Sequence, residues 1–308
     1  AADGSGATAF TYDGGSRLAT VNGPWDSDTI TYGYDVLGRI VSVNAEGGTA
    51  ISRSYDGMGR LTAITSGGQT FSYGYTSPGS SLIKTLERNN GAVTTYGYDS
   101  LHRLLQVANS GGIKTSYTYN QQDQRAGETR EGGLPAPGLT ARNGQSTVNQ
   151  VNQILAETDP DRSFAYDADG NLIEGYTKDG YPFSAGYDAA NRLIRLRYED
   201  GEKVLHRIEY GYRYDDFLVT IKRFANNKLV EETRIVRDGH LALQDRNGAN
   251  QVVAHYTWGL NLGGGIGGLL GIRQNNAGYF PLYDGIGNIV AVQDSTGQAV
   301  AQYRYSAF

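Results

Sequence analysis

One phrase recurs along the chain: an aromatic residue, Asp, two variable positions, a Gly, His or Asn, Arg, then an aliphatic residue. It stands as Tyr34-Asp35-Val-Leu-Gly38-Arg39-Ile40, Tyr55-Asp56-Gly-Met-Gly59-Arg60-Leu61, Tyr98-Asp99-Ser-Leu-His102-Arg103-Leu104 and Tyr187-Asp188-Ala-Ala-Asn191-Arg192-Leu193. Looser copies begin at Tyr12-Asp13, Tyr119-Asn120, Tyr166-Asp167 and Tyr283-Asp284. Successive Tyr positions step by 22 (Tyr12 to Tyr34), 21 (to Tyr55), 20 (to Tyr75), 23 (to Tyr98) and 21 (to Tyr119). A period this constant makes the chain an array of one small unit, whose face is buried only by its neighbours.

Residues 50 to 71 show what one unit is. Ala50-Ile-Ser-Arg-Ser-Tyr55 alternates with the period of a strand. Asp56 to Gly59 is a turn: the Asp carboxylate accepts backbone N–H groups, and Gly59 takes a positive φ that a Cβ penalises. Arg60-Leu-Thr-Ala-Ile64-Thr is a second strand, and Gly67-Gly68 turns the chain back. Each period is thus a β-hairpin plus a return turn. With no helix between units, consecutive hairpins are expected to pair as one antiparallel ribbon. Stacking places like beside like, so an Arg guanidinium is expected to lie on a Tyr ring and reach an Asp of its own or the next unit. The expectation is an all-β fold of tandem antiparallel hairpins forming a spiralling sheet, a shell or solenoid-like wall.

Composition fits that picture and narrows the function. The 308 residues include 43 Gly and 23 Tyr but 8 Phe and 2 Trp, which suits many turns and half-buried strand surfaces with an apolar ring under a wet hydroxyl. A net charge of −5 argues against nucleic acid or anionic membranes as partners. No apolar run reaches the roughly 20 residues of a membrane-spanning helix. With no Cys, there are no disulfides, thiolate metal sites or Cys nucleophile. The sole Met is Met58, so the chain reads as an excised segment of something longer.

These phrases resemble the YD repeats of the RHS and teneurin families, over roughly residues 10 to 130 and 160 to 308. Tyr256-Thr-Trp258-Gly259 and the glycines that follow resemble the Gly-rich stretch before the family's closing repeats. Tyr279 to Phe308 resembles the segment leading into the family's core. The resemblance implies a β-strip spiralling into a hollow shell, which in bacterial relatives encloses a C-terminal polypeptide, often a toxin, and in teneurins is part of an extracellular adhesion receptor. The family's self-cleaving core would follow Phe308, so no cleavage residue carries over. Dividing length by period gives about fifteen hairpins, a ribbon on the order of 140 Å.

The repeat breaks between residues 126 and 160. Arrays are therefore expected over 1–125 and 161–308, flanking an irregular insertion or degenerate repeat. Val148-Asn-Gln-Val151-Asn-Gln-Ile154 reads as a short helix or strand, with a degenerate repeat favoured. Residues 199 to 235 read as longer strands exposed on both sides.

Chemistry finds little footing. Gly263-x-Gly265-x-x-Gly268 matches a dinucleotide fingerprint formally, without the βαβ context that gives it meaning. Asp167, Asp169 and Asn171 are a candidate calcium set, but the same residues make a Tyr-Asp turn. His102, His206, His240 and His255 lie at no metal-ligand spacing. No catalytic residue and no cofactor is expected. The site residues are those of the repeat itself: Tyr34, Asp35, Gly38, Arg39, Tyr55, Asp56, Gly59, Arg60, Tyr98, Asp99, Arg103, Tyr187, Asp188, Arg192, Tyr283 and Asp284. The expected function is a non-enzymatic wall of an extracellular or cell-surface bacterial protein, secreted, whose partners are the rest of its polypeptide or a C-terminal cargo. The alternatives are an adhesion or carbohydrate-binding module using exposed Tyr rows and a cell-surface ligand, and a filament subunit self-associating through strand edges.

Overall fold

The computed structural model describes residues 2–3, 6–135, 144–158, 160–261 and 267–305. Among these it contains thirty strands, from β1 (Ala2–Asp3) to β30 (Ala299–Gln302), and no helix. Every strand pair is antiparallel, and within each sheet the strands follow chain order. One sheet has 12 strands, from β3 (Ala9–Tyr12) to β14 (Arg125–Glu131), and so runs past residue 125. Another has 13, from β18 (Ala165–Tyr166) to β30. The longest strands are in the second sheet, such as β24 (Lys228–Asp238).

The expected single ribbon is divided. Between the long sheets lies a three-stranded sheet spanning Ser146 to Ser163. Val148-Asn149-x-x-Asn152-Gln153 folds into the same turn as a Tyr-Asp unit: Asn149 N–H donates to the Gln153 carbonyl, and Asn149 Oδ1 accepts the N–H groups of Val151 and Gln153. The segment is a degenerate repeat with Val where the Tyr belongs. Val148 has no hydroxyl to reach back to the strand before it, and the first sheet has already ended at Glu131.

The hairpins share one irregularity. The first sheet pairs Gly33 with Ser42 but Tyr34 with Ile40, so the second strand carries one extra residue. The same β-bulge stands at Tyr12, Tyr55, Tyr98, Tyr119, Tyr166, Tyr187, Tyr212 and Tyr283. Such a bulge twists the strand and takes a carbonyl out of the ladder.

The two long sheets pack together, and later strands of the first meet later strands of the second. Tyr32 in β5 (Ile30–Tyr34) donates to Asp238 Oδ1 at the end of β24, 2.7 Å away. Farther along, Phe71 in β9 (Gln69–Tyr75) meets Phe280 in β28 (Ala277–Tyr283) at 6.0 Å between ring centroids. Asn109, ending β12 (Leu104–Asn109), donates to the Tyr283 carbonyl at 2.9 Å. The core lies between the sheets: Ile30, Val43, Ile64, Phe71 and Leu86 from the first join Val236, Leu243, Leu270 and Phe280 from the second.

Candidate functional site

Each Tyr-Asp turn is closed by its own carboxylate. Asp35 Oδ1 accepts the N–H of Leu37 at 2.9 Å and of Arg39 at 2.9 Å, and Oδ2 accepts Arg39 Nε at 2.6 Å. Asp56, Asp99 and Asp188 repeat this, each holding the Arg four residues on at 2.6 to 2.8 Å. The backbone closes the same loop, with Asp35 N–H donating to the Arg39 carbonyl and Gly38 N–H to the Asp35 carbonyl, each 3.0 Å. This fold puts the third residue after Asp at positive φ: 79° at Gly38, 80° at Gly59, 65° at His102 and 60° at Asn191. The Asp35 and Asp56 carboxyls are held below the usual aspartate range, first by the Arg39 and Arg60 backbone N–H and then by the same residues' guanidinium groups.

The tyrosines join one unit to the next. The Tyr55 hydroxyl donates to the carbonyl of Ile40, which sits beside the bulge of the preceding unit, at 3.0 Å. Pairing between β6 (Ile40–Ala45) and β7 (Ile51–Tyr55) stops at Ser42, so the hydroxyl serves a carbonyl the ladder leaves open. Tyr34, Tyr75, Tyr98, Tyr119, Tyr166, Tyr187, Tyr212, Tyr283 and Tyr305 donate likewise to Leu18, Leu61, Ile83, Leu104, Ile154, Leu172, Leu193, Leu269 and Ile289, all at 2.7 to 3.1 Å. In most pairs the acceptor follows the Arg slot, the aliphatic position of the repeating phrase.

The arginines cover what the hydroxyls latch. Arg17, Arg39, Arg60, Arg103 and Arg192 lie over the rings of Tyr34, Tyr55, Tyr75, Tyr119 and Tyr212, at 4.4 to 5.0 Å from guanidinium carbon to ring centroid. Where Asp fills the next unit's positive-φ slot, the guanidinium reaches it too: Arg103 Nη1 is 2.5 Å from Asp123 Oδ1, and Arg192 Nη1 is 2.7 Å from Asp216 Oδ1. With partners this exposed, solvent screens each ion pair and it adds little stability. Their effect is to fix register.

Tyr283 and Asp284 do more than close a turn. The Asp284 side chain is fully buried and takes Arg130 Nη2 of the first sheet at 3.0 Å. Gly285 N–H donates to the Tyr117 hydroxyl at 2.7 Å, and burial pushes the Tyr117 and Tyr283 phenols up to about 12. Asp167, by contrast, is occupied by its turn, accepting the N–H of Asp169 and of Asn171 on Oδ1 and the Asn171 amide on Oδ2. Asn171 Nδ2 also reaches Asn191 Oδ1 at 2.8 Å, the register contact of an Arg slot. These contacts commit both Asp167 oxygens to the turn. Gly263, Gly265 and Ile266 lie outside the described residues.

Other contacts were not visible in the repeating phrase. Where the latching Tyr is missing, Arg237 Nε donates to the Leu218 carbonyl at 2.8 Å and Trp258 Nε1 to the Ala242 carbonyl at 2.6 Å. Arg246, 1% exposed, clamps the sheets by donating to the carbonyls of Ser27 (2.8 Å) and Glu46 (2.7 Å), 219 and 200 residues away. Gln244 Nε2 adds the Ala45 carbonyl at 3.0 Å. Nothing in the sequence around Arg237, Gln244, Arg246 or Trp258 marks these roles, since their strands carry polar and apolar residues alike.

Comparison with known proteins agrees with this geometry. The RHS Repeat profile matches residues 34–70, and the Teneurin YD-shell profile matches residues 80–254. The chain is 28% identical over 216 residues to the tRNA3(Ser)-specific nuclease WapA of Bacillus spizizenii, covering 68% of this chain and 8% of that protein. It is 27% identical over 166 residues to Toxin protein Tse5 of Pseudomonas aeruginosa, covering 46% of this chain and 12% of that one. It therefore spans a small part of the length of these curated relatives. In fold it is similar to the crystal structure of TcdB2-TccC3-TEV, with a TM-score of 0.61 at 14% identity, over 96% of this chain and 20% of that one. A ladder of Tyr-Asp turns, each latched to the last, with a shell-family profile over more than half its length, places the chain in the Teneurin YD-shell family of RHS-repeat proteins.

Proposed function

We propose that this chain is a stretch of wall in a β-shell that encloses a C-terminal cargo, such as a toxin, carried on the same longer polypeptide. It is a structural element without catalysis of its own, and the protein it belongs to works outside the cell or at its surface. The observation that carries this reading is where the reactive side chains are engaged. The Asp, Arg and Tyr of successive units are committed to turns, ring covers and latches, so what the array makes is a sealed surface. Two such surfaces packed with a shared core and a buried Arg clamp form a wall that excludes water and partners from whatever lies behind it. The similarity to WapA and Tse5, named for nuclease and toxin activities, supports a cargo elsewhere in the chain. No helix of the described residues is long and apolar enough to cross a membrane.

The denatured intact mass of the natively produced protein tests the reading first. A mass far above 33.3 kDa is expected. Limited proteolysis then follows the segment after Phe308, which should resist digestion in the intact protein and become sensitive when Tyr55, Tyr98 and Tyr119 are changed together to Phe. A natural mass near 33.3 kDa, or equal digestion of both proteins, refutes the enclosure.

A further inference from the structure

Several latching tyrosines carry no guanidinium over the ring, and at one of them, Tyr98, the gap is a groove. Tyr75 is followed by the loop Thr76–Leu82 in place of an Asp-to-Arg turn, closed by Thr76 N–H donating to the Leu82 carbonyl at 3.0 Å. Arg60 Nη1 holds the loop through the carbonyls of Ser77 (3.1 Å) and Ser80 (2.6 Å). The next tyrosine, Tyr98, still latches the Ile83 carbonyl at 2.9 Å. The position before the latched carbonyl, Arg39 or Arg60 in regular units, is here Leu82, so no guanidinium covers the Tyr98 ring. Beside that ring is a groove of about 690 Å³, lined by Ser77, Ser80, Lys84, Tyr96, Tyr98 and His102. This size suits one or two sugar rings.

The lining also sets the chemistry of what fits. Lys84 is exposed and lines the groove. Asp99, the one carboxylate at the groove, is held by the Arg103 guanidinium at 2.6 Å and by backbone N–H groups. What remains to meet a ligand is an aromatic face, a cation, an imidazole and serine hydroxyls. We propose that this groove binds a pyranose bearing a carboxylate, its C–H face stacked on Tyr98 and its carboxylate on Lys84. This site is independent of any cargo behind the wall.

Ligand-observed NMR titration of the full chain with methyl β-D-glucuronide and methyl β-D-glucoside tests this. The glucuronide should bind about tenfold more tightly, as expected for one hydrogen bond to a charged group. Lys84→Gln should bring the two sugars level. Leu82→Arg restores the cover used at Tyr55 and Tyr75, and should abolish binding of both while leaving thermal unfolding unchanged or raised. The proposal falls if neither sugar binds the wild type, if the two bind equally, or if Leu82→Arg folds and binds as the wild type does. Should Leu82→Arg not fold, Lys84→Gln decides alone, because an exposed side chain is being exchanged.

Discussion

If the tyrosine hydroxyls hold neighbouring units together, removing one should loosen one place in the wall and nowhere else. In Tyr55→Phe the ring stays, Arg39 keeps an aromatic face at 4.4 Å, and only the hydroxyl that donates to Ile40 at 3.0 Å is lost. A hydrogen bond of this kind contributes a net ~1 kcal/mol, and the half-buried carbonyl left behind gives no reason for less. At ~0.59 kcal/mol for RT, ~1 kcal/mol corresponds to an opening about five times more frequent. Native-state hydrogen exchange read by mass spectrometry should show peptides around residues 38–56 exchanging about fivefold faster, with peptides around 240–258 unchanged. Tyr55 and Tyr98 stand four strands apart, about 19 Å at the usual spacing, so the double variant should show both effects independently. Tyr12→Phe is the internal control: Tyr12 is 64% exposed, and its hydroxyl meets no partner among the described residues. Equal acceleration in Tyr12→Phe and Tyr55→Phe, or none in either, would refute the latch.

Three further outcomes are expected. Gly59→Val forces a β-branched side chain to φ 80° and should cost ~1–2 kcal/mol, whereas Met58→Val at a 63% exposed position should stay within ~0.5 kcal/mol; equal denaturation midpoints would sink that turn assignment. Phe71→Ala removes a fully buried ring that meets Phe280 across the sheets and should cost ~3–5 kcal/mol, with exchange rising in both sheets; a change confined to the first sheet would show that the seam is not a shared core. His255 is held below its ordinary value by burial, then by Arg273 and Arg246. The unfolded chain therefore takes up that proton more readily, and its contribution to stability, complete above about 6.5, is lost as pH falls through the lower folded value. Asp28 and Asp245, raised by burial, act in the opposite sense but equally with and without His255. His255→Gln should thus lose less stability than the wild type between pH 7 and 5 in parallel urea titrations, and identical pH profiles would count against the assignment.

The repeat was legible because its physics is local. An Asp carboxylate reaching two N–H groups within four residues, and a positive φ between them, leaves a fixed spacing in the sequence, and Tyr34 to Ile40 carries all of it. The latch was half legible: the tyrosines announce themselves, but their acceptors are main-chain carbonyls, which every residue has. For the same reason Arg237 and Trp258 look like ordinary strand residues until the open carbonyls of Leu218 and Ala242 are seen beneath them. The degenerate unit could have been read at Val148, since the turn chemistry of Asn149 persists there while the hydroxyl is gone. The seam could not. Arg246 meets partners about 200 residues away, and no spacing rule connects positions brought together only when one sheet lies on another.

The latch points one way along the chain. In every pair the donor belongs to the later unit and the acceptor to the earlier, as with Tyr55 and Ile40 or Tyr119 and Leu104. A unit can close its own turn as soon as it exists, but the carbonyl beside its bulge waits for the tyrosine that comes next. On a polypeptide that emerges amino end first, the growing tip is always the one unfinished unit, and each arrival completes its predecessor. The array then assembles like a zip drawn in the direction of synthesis, never holding more than a single open tooth.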